Sequence, residues 1–207
     1  MSEPSRVRCY DCYRPIANCF CAVVPSIANR TAVLIVQHRR ESFHPFNTAR
    51  IVRLALQNST LVVDHTQRIS ERLVVRSRAG LLYPGPASTL LSKLPEGQRP
   101  EQLVVVDGTW HQVKTLVRDV AAIRNLPQYR LAPTEPSNFR IRLEPNAAAL
   151  STVEAVVAAL RMLEPKTTGF EQLLQAFDLM VDRQLAARQF AQMHALIHHR
   201  SMIAKSY

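Results

Sequence analysis

Apolar residues recur along this chain in two alternating rhythms, short unbroken runs and helical stripes. Residues 31–37, TAVLIVQ, predict a strand buried on both faces. The period then changes: Ile51, Leu54 and Ala55 share one face of a helix expected over 47–56, Arg50 and Arg53 point away, and Asn47 stands where a cap belongs. Short strands are expected at 60–63 and at 81–83, the second ending in Pro84-Gly85. Residues 103–106, LVVV, predict the central strand, and they run straight into Asp107-Gly108-Thr109-Trp110. A helix over 110–124 should follow, capped by the Asp or Thr of that junction, with Val113, Val117 and Ala121 on its inner stripe. Residues 139–143, FRIRL, alternate as a strand with Arg140 and Arg142 on one side. Ser151 and Glu154 spell a capping box for a helix reaching 163, and Pro165 marks its stop. The remaining third is helical, with Phe170, Leu173, Leu174, Phe177, Met180 and Val181 as its apolar seam. Strands separated by helices predict an α/β core around a largely parallel sheet.

At 207 residues the chain suits one ordinary domain plus a small appendage, with the strongest boundary at 25–30. We divide it into a module at 1–29 and a main domain at 30–207 with a helical end. All four cysteines lie in the first part, at Cys9, Cys12, Cys19 and Cys21. The spacing C-x2-C-x6-C-x-C suits a tetrahedral structural zinc site, which organises a peptide too short to build its own core. Disulfides, an iron–sulfur centre and four unrelated thiols are the competing readings. No secretory leader precedes the cluster, so a cytoplasmic location is expected, and no apolar run reaches membrane-spanning length.

The formal charge is +10, and of 26 basic residues only Lys93, Lys114, Lys166 and Lys205 are lysine. Arginine grips phosphates with a planar fork and stacks on bases, so a polyanion is the expected partner, RNA or DNA first. Four thiolates on Zn²⁺ would offset part of the charge of Arg6, Arg8 and Arg14.

In open α/β sheets ligands gather beyond the carboxyl ends of strands, which is where Asp107 falls. It reads either as a helix cap or as a general base or substrate N–H anchor, and Trp110 either packs on the sheet or faces a ligand. Residues 37–48 follow another strand and are dense in polar groups. Arg39, Arg40 and Arg50 there suit a phosphate near a helix start, with a solvated loop as the plain alternative. The chain carries no G-x-G-x-x-G, P-loop, H-E-x-x-H or zinc-deaminase pattern, which argues against Rossmann, ATPase and catalytic-zinc chemistry. His194, His198 and His199 are expected to be solvent-facing on the last helix.

Taken together, RCYDCYRPIANCFC at 8–21, HRRESFHPFNTARI at 38–51, VVVDGTWHQVKTL at 104–116 and LSTVEAVVAAL at 150–160 resemble the DTW-domain family. The Asp-x-Thr-Trp signature stands intact at Asp107, Thr109 and Trp110. One departure is Arg39, where the family's first loop often has proline after the histidine; Glu41, Pro45, Asn47 and Thr48 follow the pattern. The resemblance implies a tRNA-uridine aminocarboxypropyltransferase of the SPOUT class, with a trefoil-knotted cofactor site. Such an enzyme moves the 3-amino-3-carboxypropyl group of S-adenosylmethionine to N3 of a uridine, at tRNA position 47 in the variable loop for similar bacterial members. It further implies Asp107 as the catalytic acceptor, and Tyr83, Gly85, Thr109, Trp110, Leu150, Ser151 and Thr152 as cofactor contacts. Glu154 would either complete its capping box or orient the cofactor amine, and Arg39, Arg40, Asn47 and Arg50 would touch RNA. No obligate protein partner is implied. A SPOUT-like RNA methyltransferase and a noncatalytic zinc-containing RNA-binding protein are the alternatives.

Overall fold

Six strands, all paired in parallel, form one sheet in a computed structural model that describes residues 7–44, 47–133, 136–140 and 150–203, the last helix from 188 and 190–203 by its backbone alone. The strands are β1 (Ala32–His38), β2 (Ser59–Asp64), β3 (Ala79–Leu82), β4 (Thr89–Leu90), β5 (Gln102–Asp107) and β6 (Gln128–Arg130), in the order β2-β1-β5-β3-β6-β4. Strand β5 sits between β1 and β3, with Ile35 opposite Val105 on one side and Leu82 opposite Val105 on the other.

Side-chain alternation along the inner strands builds two cores. Val33 and Ile35 of β1 and Leu103 and Val105 of β5 join α1 (Ala49–Ala55), α5 (Thr152–Leu163) and α6 (Phe170–Ile203) on one face. Leu34, Val36 and Val104 join α2 (Thr66–Arg72), α3 (Trp110–Asp119) and α4 (Ala121–Arg124) on the other. Each fully buried Leu, Ile or Val contributes about 1.5–3 kcal/mol, and both strands carry such residues on both faces. That is why they read as unbroken apolar runs.

The expected seam of α6 is present: Phe170, Leu173, Phe177, Met180 and Val181 are buried and Leu174 packs beside them. The helix expected over 110–124 is corrected to two. Val120 adopts extended dihedrals (φ −94°, ψ 102°) and separates α3 from α4. This resets the stripe, so Val120 is buried where Ala121 was expected to be, and Ala121 is exposed. Of the strand expected at 139–143, Phe139 and Arg140 are described and lie outside the sheet, with Phe139 in the core and Arg140 paired to Asp182; 141–143 lie outside the described residues. Pro45, the side chains of His194, His198 and His199, and Arg6 also lie outside them. So do residues 141–149, part of the connection from β6 to α5.

The amino-terminal module packs onto the main domain. Phe20 and Cys12 are buried in the core shared by α1, α5 and α6, and Arg183 of α6 donates to the carbonyl of Cys19. No described helix is long and apolar enough to cross a membrane.

Candidate active site and metal centre

Gln37, next to last in β1, and Asp107, last in β5, are opposed partners in the parallel register, and both continue the odd-numbered positions that face α1 and α5. Gln37 is fully buried, and its Nε2 donates to Asp107 Oδ2 at 2.7 Å. Its Oε1 accepts from Asn47 Nδ2 at 3.2 Å, and the Thr152 hydroxyl donates to Asp107 Oδ1. A relay of Asn47, Gln37, Asp107 and Thr152 therefore fixes the carboxylate across three elements.

Two helix starts flank this carboxylate, each closed by a capping box. In α5, Ser151 accepts from the Glu154 N–H while Glu154 accepts from the Ser151 N–H. Glu154 also accepts from the Ser151 hydroxyl, from Ser137 Oγ at 2.6 Å and from the Asn138 N–H at 2.7 Å. It is thus a structural anchor for 137–138 as well as a cap. In α3, Thr109 plays the same part with Gln112. Trp110, the first residue of α3, is 42% exposed, so part of its ring is open to solvent. Tyr83 and Gly85 follow β3 on the same rim of the sheet. A Cβ on Gly85 would lie 2.3 Å from Gln128 Oε1 and 3.1 Å from the Tyr83 ring, so a larger residue there would have to displace the Gln128 side chain and crowd Tyr83. Leu150 is half-buried ahead of α5.

The four cysteine Sγ atoms lie within 4.8 Å of one another, with Cys9 to Cys21 at 3.8 Å and Cys12 to Cys19 at 3.9 Å. Tetrahedral zinc with Zn–S bonds of about 2.3 Å requires S···S separations of about 3.8 Å, so the donor set fits Zn²⁺. Without a cation the thiols cannot share one charge state. The backbone N–H of Cys12 lowers Cys9 to about 7, whereas burial pushes Cys21 well up. Arg14 is buried over the Phe20 ring, and burial lowers its pKa against the opposing pull of Cys12 and Cys21. Thiolates gathered around a metal ion would place negative charge beside this guanidinium.

Around the loop after β1, Arg39 and Arg40 are exposed in a single 3₁₀ turn. Asn47 is buried: besides its bond to Gln37 it donates to the carbonyls of Glu41 and Ser42, and from one residue ahead of the N-cap Thr48 it accepts from the Arg50 N–H in the first turn of α1. Arg50 reaches the other way. Its guanidinium donates to the Asp11 and Ser42 carbonyls and lies 3.9 Å over the Tyr13 ring, joining the cysteine module to the loop.

Gln37, Ser137 and Asn138 are the site residues missed by sequence reasoning. A polar residue directly after the apolar run of β1 was the available signal for Gln37; nothing local marks the other two. A cavity of about 410 Å³ lined by Ala28, Arg30, Lys166, Thr167 and Thr168 lies at the amino-terminal rim of the sheet. The carboxylate network, not that cavity, has the partners from several elements that chemistry requires.

Among known proteins, the family model described as DTW domain matches residues 6–185. A Drosophila melanogaster protein named tRNA-uridine aminocarboxypropyltransferase 2 is 28% identical over 190 residues, 87% of this chain and 76% of its own length. The Mus musculus protein of that name is 29% identical over 191 residues, and the alignment covers 87% of this chain and 64% of the mouse protein. An Arabidopsis thaliana protein named tRNA-uridine aminocarboxypropyltransferase A is 27% identical over 207 aligned positions, 80% of this chain and 76% of its own. No solved structure matches the chain.

Proposed function

The chain belongs to the DTW-domain family, and we propose that it is a tRNA-uridine aminocarboxypropyltransferase. On this reading it moves the 3-amino-3-carboxypropyl group of S-adenosylmethionine to N3 of a tRNA uridine, at position 47 of the variable loop, and releases methylthioadenosine. The names of its relatives support the reaction class, and the net charge of +10 suits a tRNA partner. The observation that carries the reading is the Asp107 carboxylate, pinned at a strand end by Gln37 and Thr152.

S-adenosylmethionine supplies a γ-carbon activated by the neighbouring sulfonium. The residues at the rim fit such a donor. Trp110 would offer its half-exposed indole to the adenine, Tyr83 and Gly85 would line the rim beside it, and the N–H groups that the capping boxes leave open at the starts of α3 and α5 would suit the carboxylate of the amino acid. Thr109, Leu150, Ser151 and Thr152 complete this surround, and Glu154 shapes it from behind through its four donors.

For the acceptor, Asp107 receives the N3–H of the uracil imide in a hydrogen bond, orients the ring edge and takes up the proton as the N–C bond forms. The C–S electron pair leaves with sulfur, so no covalent enzyme intermediate is needed. Arg39 and Arg40 hold the RNA backbone, while Asn47 and Arg50 shape that surface. The four-cysteine zinc site keeps the amino-terminal module folded against α6 and takes no part in the transfer.

The test incubates the protein with an unmodified tRNA transcript and S-adenosylmethionine and locates the added mass by nucleoside and fragment analysis. An aminocarboxypropyl uridine with methylthioadenosine supports the proposal. A methylated nucleoside with S-adenosylhomocysteine, or no product at all, overturns it.

A further inference from the structure

Two segments far apart in sequence meet on the outside of the cysteine module. Tyr13, just after the second cysteine, and Phe43, in the loop after β1, pack edge to face at 5.6 Å and 86°. Neither ring is hidden: Phe43 is 72% exposed and Tyr13 38%, and Tyr10 on the same knuckle is 91% exposed. Arg50 lies over the Tyr13 face and bonds the carbonyls of Asp11 and Ser42, so one guanidinium fixes both segments.

The backbone adds a second observation. Tyr13 has φ 58°, the one described non-glycine residue with positive φ, at a turn where glycine would be unstrained. A large ring held in that conformation marks a position where the side chain is used.

We infer that Tyr10, Tyr13 and Phe43 form a stacking platform for unpaired nucleotides of the RNA substrate. The identity of that RNA rests on the proposed function; the stacking chemistry does not. Bases already stacked in a duplex cannot use such a platform, whereas the unpaired bases of a loop can lie on aromatic and guanidinium faces. The charge is suitable: Arg8, Arg39 and Arg40 are exposed nearby in sequence, against Asp11 and the half-buried Glu41. The platform also adjoins the reacting end of the sheet. The Arg50 N–H is bonded to Asn47 Oδ1, Asn47 to Gln37, and Gln37 to Asp107. RNA stacked on the rings is therefore carried by the same residues that brace the carboxylate, and its neighbouring nucleotide is presented to the strand end.

The test uses the zinc-loaded full chain and a labelled single-stranded uridine oligonucleotide, with a duplex of equal length and anionic vesicles as further probes. Phe43→Ala and Tyr10→Ala should each weaken binding of the single strand by about 5- to 100-fold without changing Tm, and Phe43→Trp should retain it. Arg40→Ala should reduce the salt dependence, which the aromatic variants leave unchanged. Equal affinity of both alanine variants and the parent, failure of the parent to bind the strand, preference for duplex, or binding of vesicles in place of RNA would each overturn the platform. If the platform binds as described but tRNA gains no mass, the proposed reaction falls and the platform stands.

Discussion

At the amino-terminal module four thiols face one another across at most 4.8 Å, whereas at the strand ends one carboxylate faces an amide and a hydroxyl. The thiols are all potential anions, and as thiolates they would need a cation from outside the chain to lie together. The carboxylate is completed by donors that the fold itself supplies. Loss of metal should therefore act on stability, and loss of a strand-end partner on chemistry. The module is nonetheless continuous with the main core through Phe20 and Cys12, so its collapse cannot remain local.

The largest effect should come from Cys12→Ser or from chelation. The substitution removes a buried ligand beside Phe20 and chelation removes the cation, and each should cost about 3–5 kcal/mol, lowering Tm by about 10 °C. Thermal unfolding with metal analysis checks this. Protein that contains no zinc as purified and melts unchanged with chelator would erase the contrast between the two centres.

Asp107→Asn should behave in the opposite way. The amide preserves shape, so Tm and tRNA affinity should stay near the parent while the transfer rate falls by about 100-fold or more. Near-parent activity would show that the carboxylate positions nothing. Gln37→Leu sharpens the comparison, because it keeps the volume and removes both polar contacts. It leaves Asn47 and Asp107 each short of a buried partner, at a cost of about 1–3 kcal/mol. The transfer rate should fall more than the Tm loss explains, by about tenfold in kcat, with donor KM little changed. A fall confined to stability would make Gln37 a core residue only.

These two centres also differ in how far local sequence betrays them. The outer cysteines are twelve residues apart, and spacing alone brings the ligands together once turns form. Ser151 and Glu154 likewise form their capping box within a single helical turn. Asp107 was legible as an acid ending an apolar run. Its partners were not, since Gln37 is 70 residues away and Thr152 is 45, and strand order and register decide that they meet. Arg50 shows the same limit: helical period frees it from the core, but only the packing of the module onto α1 gives its charge the Tyr13 ring and two carbonyls. The break at Val120 has no glycine or proline to announce it. Val120 itself is buried on the sheet face with Leu116 and Ile123, and this tertiary contact overrides the helical period.

The smallest expected effect tests the loop that joins the two centres. His38 follows Gln37, and its Nδ1 accepts from the Arg40 N–H at 3.3 Å, which closes the turn that carries Arg39 and Arg40. Burial first, then His65 and Arg40, lower its pKa below 6.5, with Glu41 pulling the other way. The folded state therefore binds this proton less readily than the unfolded chain. The contribution is complete above pH 6.5 and is lost as the pH falls through the folded value. Between pH 7.5 and 5.5, Tm should therefore drop slightly, and this group should account for part of the drop. His38→Asn keeps an acceptor for the Arg40 N–H without a titrating ring, so it should flatten that portion of the curve. Because the carbonyls of Glu41 and Ser42 brace Asn47, protonation of His38 should also weaken single-stranded RNA binding before it slows transfer at saturating RNA. Simultaneous loss of both would mean that the loop and the carboxylate respond as one unit.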